Sequence, residues 1–240
     1  MNGVAIYIEG GGDSRTGKDR LRQAMSAFLL SLRAAANRKR LHWRVVACGG
    51  RDGARDAFLT AIKTSRDTFN VLLVDSEAPV SEPPRAHLKQ RDGWTLTAVG
   101  DEPIHLMIQV METWIIADPD AMARYYDKHF LKGALPPTRD LESVEKDRIY
   151  RALKHATAKT RKGEYDKIDH AADLLEEIDP AKVRRRCPSC ERLFARWPNG
   201  SMRHDAALRS GADQKACSHP RAGGSISGSR VGRKLQAHNV

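Results

Sequence analysis

The sequence has no long apolar run, and it is short of aromatic residues, acidic residues and cysteine. No stretch approaches the roughly 20 apolar residues that a membrane-spanning helix requires. The first residues also lack the charged region and apolar centre of a secretion signal. We therefore expect a cytoplasmic protein with no membrane association.

Cysteine is scarce, with four among 240 residues. These four show no disulfide framework, as expected for reduced thiols. Cys187 and Cys190 have the C-x-x-C spacing of a zinc knuckle, which Cys217 with His219 or His204 would have to complete. One C-x-x-C without a second pair is a weak signal. We therefore interpret Cys187 and Cys190 as ordinary thiols rather than as a structural Zn²⁺ site.

The shortage of acidic residues leaves the chain strongly basic, with 41 Lys and Arg against 30 Asp and Glu and a formal net charge of +11. Such an excess favours a polyanionic partner, because basic side chains attract phosphate and release its counterions. We expect nucleic acid to be that partner. Charge alone does not decide this, since much of it can be solvated surface.

Apolar runs alternate with helical patterns in the first half of the chain, which predicts an α/β fold. Strands are expected at Val4–Ile8, Trp43–Cys48 and Asn70–Val74, with helices over 18–37 and 54–64 between them. Nearly continuous apolar strands are typical of parallel sheets covered on both faces. We expect a compact, doubly wound, mainly parallel sheet flanked by helices, with a helical C-terminal part.

Further along, prolines and glycines over 78–103 predict a long surface loop. A strand through about Val110 should then turn into a helix near Glu112. Later helices are predicted over 119–126, 143–158, 166–178 and 180–194. We expect an α/β core over 1–130, a helical extension packed on it over 131–197, and a basic, disordered tail over 198–240.

Acidic residues follow two of the predicted strands. Glu9 closes the first strand, and Asp75 and Glu77 follow the third. Parallel strands would bring these carboxylates to one sheet edge, where they repel one another unless a cation joins them. A hard, oxygen-liganded Mg²⁺ or Mn²⁺ fits this demand, and Asp13 could orient a metal-bound water. The alternative is that these residues cap helices or lie solvated in loops.

The same motifs, Ile8-Glu9-Gly10 and Val74-Asp75-Ser76-Glu77, resemble the TOPRIM domain of topoisomerases, primases and nucleases of the overcoming-lysogenisation-defect type. The segments IYIEGGGDS, LLVDSEAPV, HLKQRDGW, HLMIQVMETW and KGEYDKIDHA resemble a bacterial TOPRIM-like family, domain of unknown function 4276. This likeness covers roughly residues 4 to 195. It implies Mg²⁺-dependent phosphodiester chemistry, with Glu9 as acid/base or metal-adjacent residue and with Asp75 and Glu77 holding metal. Glu77 stands where many TOPRIM domains have Asp.

A near P-loop overlaps the first motif. Gly12, Gly17 and Lys18 match the phosphate-binding pattern, but Asp19 replaces the Ser or Thr whose hydroxyl coordinates Mg²⁺. Nucleotide binding in the P-loop manner is therefore not favoured. We still expect Lys18 to contact substrate phosphate near the metal.

A second basic segment surrounds Gly163. We assign Lys162 to the catalytic face and Glu164, Tyr165 and Lys167 to substrate binding, with Tyr165 available to stack on a base. The alternative is an exposed turn between helices.

His105 and Glu112 are further candidates for substrate binding, because both lie in a segment that carries the resemblance. Glu112 stands on an apolar element, where an unpaired carboxylate is costly. It could be a metal ligand or a partner in a structural ion pair.

These patterns lead to a Mg²⁺- or Mn²⁺-dependent nuclease or nickase. The resemblance further implies bacterial defence with an ABC-type ATPase partner. A non-catalytic nucleic-acid-binding or regulatory module and a nucleotide-binding phosphotransferase are the alternatives. The sequence leaves the oligomeric state open.

Overall fold

Four parallel strands form the centre of the fold. They are β1 (Gly3–Ile8), β2 (His42–Ala47), β3 (Thr68–Asp75) and β4 (Ile104–Met107), in the spatial order β2-β1-β3-β4. The structure is a computed structural model, and it describes residues 1–137 and 139–196. Strand β1 is buried along its whole length and β3 along most of its length, which explains why both read as continuous apolar runs.

Ten helices surround the sheet in the part of the chain that the structure describes. Their bounds are α1 (Arg15–Phe28), α2 (Leu30–Arg38), α3 (Arg51–Thr64), α4 (Pro84–Asp92), α5 (Met111–Ile116), α6 (Pro119–Tyr126), α7 (Lys146–Thr157), α8 (Lys167–Glu177), α9 (Pro180–Arg186) and α10 (Pro188–Ala195). The predicted α/β class is confirmed as an all-parallel sheet flanked by helices.

Two hydrophobic clusters cover the two faces of the sheet. Alternate residues of β1 show the division, since Ile6 belongs to one cluster and Tyr7 to the other. The larger cluster continues through α1 and α5 into α7, α8, α9 and α10. The smaller one packs α3 and α4 against the opposite face. The C-terminal helices therefore share the core of the sheet, which carries α8 to the ends of β1 and β3.

The long surface loop predicted for residues 78–103 was wrong in its middle part, where α4 forms. Pro84 occupies the first turn of this helix, a position that needs no N–H donor, and Gly93 ends it in the left-handed conformation at φ +70°. The residues that indicated irregular structure therefore mark the two ends of a helix. His87 and Leu88 are the buried residues of this helix.

Two predicted helices are each divided. The segment 180–194 forms α9 and α10, because Pro188 disfavours the helical conformation at Cys187, which is extended. The segment 18–37 belongs to α1 and α2, which meet at Leu29. That second break is slight, since the Leu29 N–H still donates to the Met25 carbonyl.

The described cysteines are free thiols, and Cys187 and Cys190 are buried. Burial raises the pKa of both thiols. The other residues considered for a zinc knuckle, Cys217, His204 and His219, lie outside the described residues. The predicted disordered tail lies there as well.

None of the helices within residues 1–137 and 139–196 combines the length and apolarity needed to cross a membrane.

The turn between β1 and α1 depends on close backbone packing. Gly10, Gly11 and Gly12 all have positive φ, and a β-carbon on Gly17 would collide with the carbonyl oxygen of Gly11. We expect Gly17→Ala to lower the free energy of unfolding by about 1–3 kcal/mol. Gly100→Ala, at an exposed position with open space around it, should change it by less than about 0.5 kcal/mol. Urea denaturation measures both, and equal stabilities would contradict this packing.

Candidate metal centre at the strand ends

Three carboxylates converge where β1 and β3 end. Glu9 directly follows β1, Asp75 is the last residue of β3, and Glu77 lies two residues later. One oxygen from each lies within 4.8 Å of the others. The predicted meeting of these three side chains is therefore confirmed, as a group that could hold a metal ion.

The backbone after β3 directs Glu77 towards this group. The N–H of Ser76 donates to the Met107 carbonyl at 2.9 Å, and the N–H of Glu77 donates to the Gln109 carbonyl at 2.7 Å. The backbone hydrogen bonding between the β3 and β4 segments thus continues beyond the end of β3. Glu77 itself has φ +62°, which non-glycine residues adopt uncommonly.

Asp75 is the most deeply buried of the three carboxylates, at 1% exposure. Its Oδ2 lies 3.5 Å from Lys167 Nζ, while Oδ1 has no hydrogen-bond partner among the described residues. Burial raises the pKa of Asp75 well above its usual range, and the charges of Glu9, Glu112 and Glu77 add to the rise that Lys167 opposes. The ionised form of Asp75 is therefore disfavoured here, and a bound cation would stabilise it.

Arg51 holds the Glu9 carboxylate in place, a role that was not predicted from the sequence. Its Nη1 donates to Glu9 Oε2 at 2.9 Å, and its Nε and Nη2 donate to the two carboxylate oxygens of Asp92 at 3.1 and 2.8 Å. The guanidinium also lies 4.9 Å from the centre of the Trp94 ring. Burial raises the pKa of Glu9 in spite of this arginine. Only the position of Arg51, directly after Gly49-Gly50 at a strand end, could have indicated it.

Glu77 is held by two further cations. Lys146 Nζ on α7 lies 2.6 Å from Glu77 Oε2, and Arg91 on α4 approaches the same oxygen at 3.9 Å. Burial alone would raise the pKa of Glu77, but Lys146 and the two nearby arginines outweigh it and lower the pKa. Glu77 is therefore ionised more readily than its two neighbours.

A buried network on the other side of Asp75 holds Lys167. Tyr165 and Tyr150 donate to the two oxygens of Glu112 at 2.9 and 3.2 Å, and Lys167 Nζ lies 3.6 Å from Glu112 Oε2. Among the two alternatives for Glu112, this geometry favours the structural ion pair. Tyr165 is buried, so its predicted use as a base-stacking surface is wrong. Lys167 reaches two carboxylates, those of Asp75 and Glu112, and its role in substrate binding stays a prediction.

Lys162 and Glu164, predicted to lie near the active face, are neither among the clustered carboxylates nor among the residues that line the cleft. The Lys162 ammonium stands 4.2 Å from the centre of the Tyr125 ring, and Glu164 pairs with Lys154 at 2.9 Å. Both side chains are on the exposed turn between α7 and α8. This turn fits the exposed alternative considered above.

His105 is also away from the carboxylates. It is buried beneath α10, where Arg192 approaches its Nδ1 at 3.1 Å and donates to the carbonyls of Ile104 and Asp101. Burial, together with the charge of Arg192, lowers the pKa of His105 to about 3. The predicted substrate-binding role is therefore wrong, because the imidazole is enclosed in the core.

A cleft of about 460 Å³ opens beside Glu9 and Asp75. The turn of Gly10–Gly12, the first turns of α1 and α8, and the end of β4 enclose it. Asp13 lines the cleft from an exposed position on the turn, so it can reach a bound molecule. Lys18 is not among the described lining residues; its side chain lies beside Gly49. The lysine placement therefore lends no support to the P-loop interpretation.

The family profile described as Domain of unknown function (DUF4276) matches residues 8–196. The chain belongs to this family. The match includes all three carboxylates and the cations that hold them. No curated protein and no solved structure gives a significant match. The predicted family is thus confirmed, whereas the relationship to TOPRIM domains stays a prediction.

Asp75→Asn tests the strain at the centre of this DUF4276 site. A raised pKa in the folded state gives stability below the unfolded value of about 3.8, and that stability is lost as pH rises through the folded pKa. We therefore expect Asp75→Asn to raise the free energy of unfolding at pH 8 in EDTA. The gain should shrink at pH 5. Urea denaturation measures this change in the free energy of unfolding, and Asp56→Asn, at an exposed aspartate, is the control. An Asp75→Asn variant less stable than the wild type at pH 8 would contradict the cost assigned to the ionised Asp75.

His105 should make the chain sensitive to acid. Its pKa is lower in the folded than in the unfolded chain, so the stability present above pH 6.5 falls as pH drops towards 3. Relative to His105→Asn, which keeps an acceptor for Arg192, the wild type should lose roughly 1 kcal/mol more between pH 7.5 and 5.5. Urea denaturation at the two pH values measures this difference. Parallel losses would show that His105 titrates normally.

Proposed function

We propose that this DUF4276 protein hydrolyses phosphodiester bonds in nucleic acid with Mg²⁺ or Mn²⁺. The observation that carries the proposal is the convergence of Glu9, Asp75 and Glu77 within 4.8 Å around a buried Asp75 oxygen that lacks a partner. Carboxylate oxygens are the ligands these hard cations prefer. A bound divalent ion would counter the burial and the carboxylate repulsion that raise the pKa of Asp75.

The residues present fit such an ion. Asp75 and Glu77 would hold it, with Glu9 as a third ligand or as the acid/base next to it. When bound, the ion activates water and neutralises charge that develops on the phosphodiester. Arg51 keeps the Glu9 carboxylate in place, and Lys146 does the same for Glu77. Asp13, at the mouth of the cleft, is available to orient a water molecule.

Lys167 supplies positive charge at the same point. It lines the cleft, lies 3.5 Å from Asp75 Oδ2, and is held by Glu112 on its other side. An ammonium in this position can pair with a non-bridging phosphate oxygen of a bound substrate. We therefore assign the substrate-binding role to Lys167 and withdraw it from Glu164, Tyr165 and His105.

The motifs that end in Glu9 and Asp75-Ser76-Glu77 lead us to propose further that the family is related to TOPRIM domains. The same resemblance supports a role in bacterial defence with an ABC-type ATPase partner. The net charge of +11 supports nucleic acid as the substrate.

A second candidate is a non-catalytic nucleic-acid-binding module. It is favoured by the cations around the cluster, because Arg51, Lys146 and Lys167 each pair with one of the carboxylates. In such a protein the ion pairs would be structural. Divalent metal would then have no effect on stability or activity.

Hydrolysis of labelled single-stranded and duplex DNA and RNA, with Mn²⁺ or EDTA, tests the proposal. We expect Mn²⁺-dependent cleavage that falls at least about 100-fold in Asp75→Asn and in Glu77→Gln, since each loses an ion ligand. Glu177→Gln, an exposed carboxylate at the end of α8, should cleave like the wild type. Cleavage retained in both ligand variants would contradict the proposed site.

Binding of the ion is measured separately by calorimetry and thermal unfolding. Mn²⁺ at 100 times its dissociation constant should stabilise the wild type by about 2.7 kcal/mol. Asp75→Asn should show no such gain. Nucleic-acid binding without either cleavage or Mn²⁺ binding would favour the second candidate.

A further inference from the structure

The cleft beside the carboxylates has an apolar wall that ion binding does not use. Ile168, Ala171 and Ala172 of α8 form one part of it, and Met107 and Met111 form another. At about 460 Å³ the cleft lies within the range of pockets that enclose small ligands, roughly 300–1,000 Å³. This space is therefore large enough for one compact group placed next to the ion.

Ile168 stands at the rim of this wall and is 81% exposed. It occupies the first turn of α8, directly after Lys167, which binds Asp75. An apolar side chain this exposed gains no stabilisation from burial in the core. It is positioned to cover an apolar ligand that enters the cleft.

The opposite boundary of the cleft is polar. Glu9 and Asp75 lie at its floor, and the Gly10–Gly12 turn leads into the amino-terminal end of α1, where the helix dipole favours an anion. Asp75 also carries a buried carboxylate oxygen without a hydrogen-bond partner among the described residues. The two walls together suit a molecule with a phosphate at one end and an apolar, flat group at the other.

A nucleobase is the group that matches. Every base has a π-face that packs against apolar side chains regardless of sequence, and methionine sulfur makes favourable contacts with aromatic rings. A base that is stacked and paired in a duplex cannot present this face unless it is turned out of the helix. The apolar side chains of the cleft beside the carboxylates thus suit an unpaired nucleotide.

We propose that the wall of Met107, Met111, Ile168, Ala171 and Ala172 receives one unpaired nucleobase while the adjacent phosphate lies at the carboxylates. The substrates are accordingly single strands, flaps or frayed ends. This inference rests on the proposed function, which it deepens by naming the class of substrate.

Two small ligands test the wall directly. Thymidine 5′-monophosphate and deoxyribose 5-phosphate share the phosphate and sugar and differ in the base. In calorimetry with saturating Mn²⁺, the nucleotide should bind about 5- to 100-fold more tightly, because the base contributes its own contact. Equal affinities would overturn the inference.

Two variants locate the contact. Ala172→Trp fills the apolar side of the cleft and should remove the preference for the nucleotide, whereas Glu177→Trp near the end of α8 should keep it. Ile168→Asp changes an exposed residue and should weaken nucleotide binding severalfold, whereas Leu131→Asp, at an exposed leucine outside the cleft, should not. A preference that survives both Ala172→Trp and Ile168→Asp would overturn the inference.

Titration with Mn²⁺ alone separates this inference from the proposed function. If Mn²⁺ binds the wild type but thymidine 5′-monophosphate and deoxyribose 5-phosphate bind the wild type with equal affinity, the ion site stands and the base site fails. If Mn²⁺ does not bind the wild type, the proposed function fails first, and the inference fails with it. Cleavage of a closed duplex as fast as a single strand of the same sequence would also overturn the inference.

Discussion

The burial of the Asp75 carboxylate at the end of β3 is the constraint on which the site depends. A buried anion with an oxygen lacking a partner is costly, and the nearby carboxylates of Glu9 and Glu77 increase that cost. The protein offsets it in part with Lys167. A divalent cation bound at this position would offset the remaining cost of burying the Asp75 carboxylate.

The cations around the site are themselves held by second anions. Arg51 bridges Glu9 and Asp92, and Lys167 lies between Asp75 and Glu112. Such alternation limits the conformations available to Arg51 and Lys167, because each of these two cations is held from two sides. The carboxylates are therefore positioned in advance, and this is the condition under which an ion or a substrate is bound at low entropic cost.

The site also joins the two halves of the chain. Its carboxylates come from strands within the first 80 residues, while Lys146 and Lys167 come from α7 and α8. Helix α8 packs in the same hydrophobic cluster as α1, which places its first turn across the cleft from the Gly10–Gly12 turn. The C-terminal helices thus contribute charge to the candidate centre and a wall to the cleft.

The amino-acid sequence alone determined the parallel strands and the convergence of Glu9, Asp75 and Glu77. Buried parallel strands are visible in the sequence as apolar runs. Acidic residues directly after two neighbouring parallel strands lie close together at one edge of the sheet. Only the tertiary structure decided the roles of Arg51, Asp92 and Lys146, because charged residues on helices carry no local sign of their distant partners. It also removed His105 and Tyr165 from the substrate-binding residues, since burial depends on which helices cover a strand. Local patterns determine which residues follow a strand, whereas long-range packing decides what surrounds them.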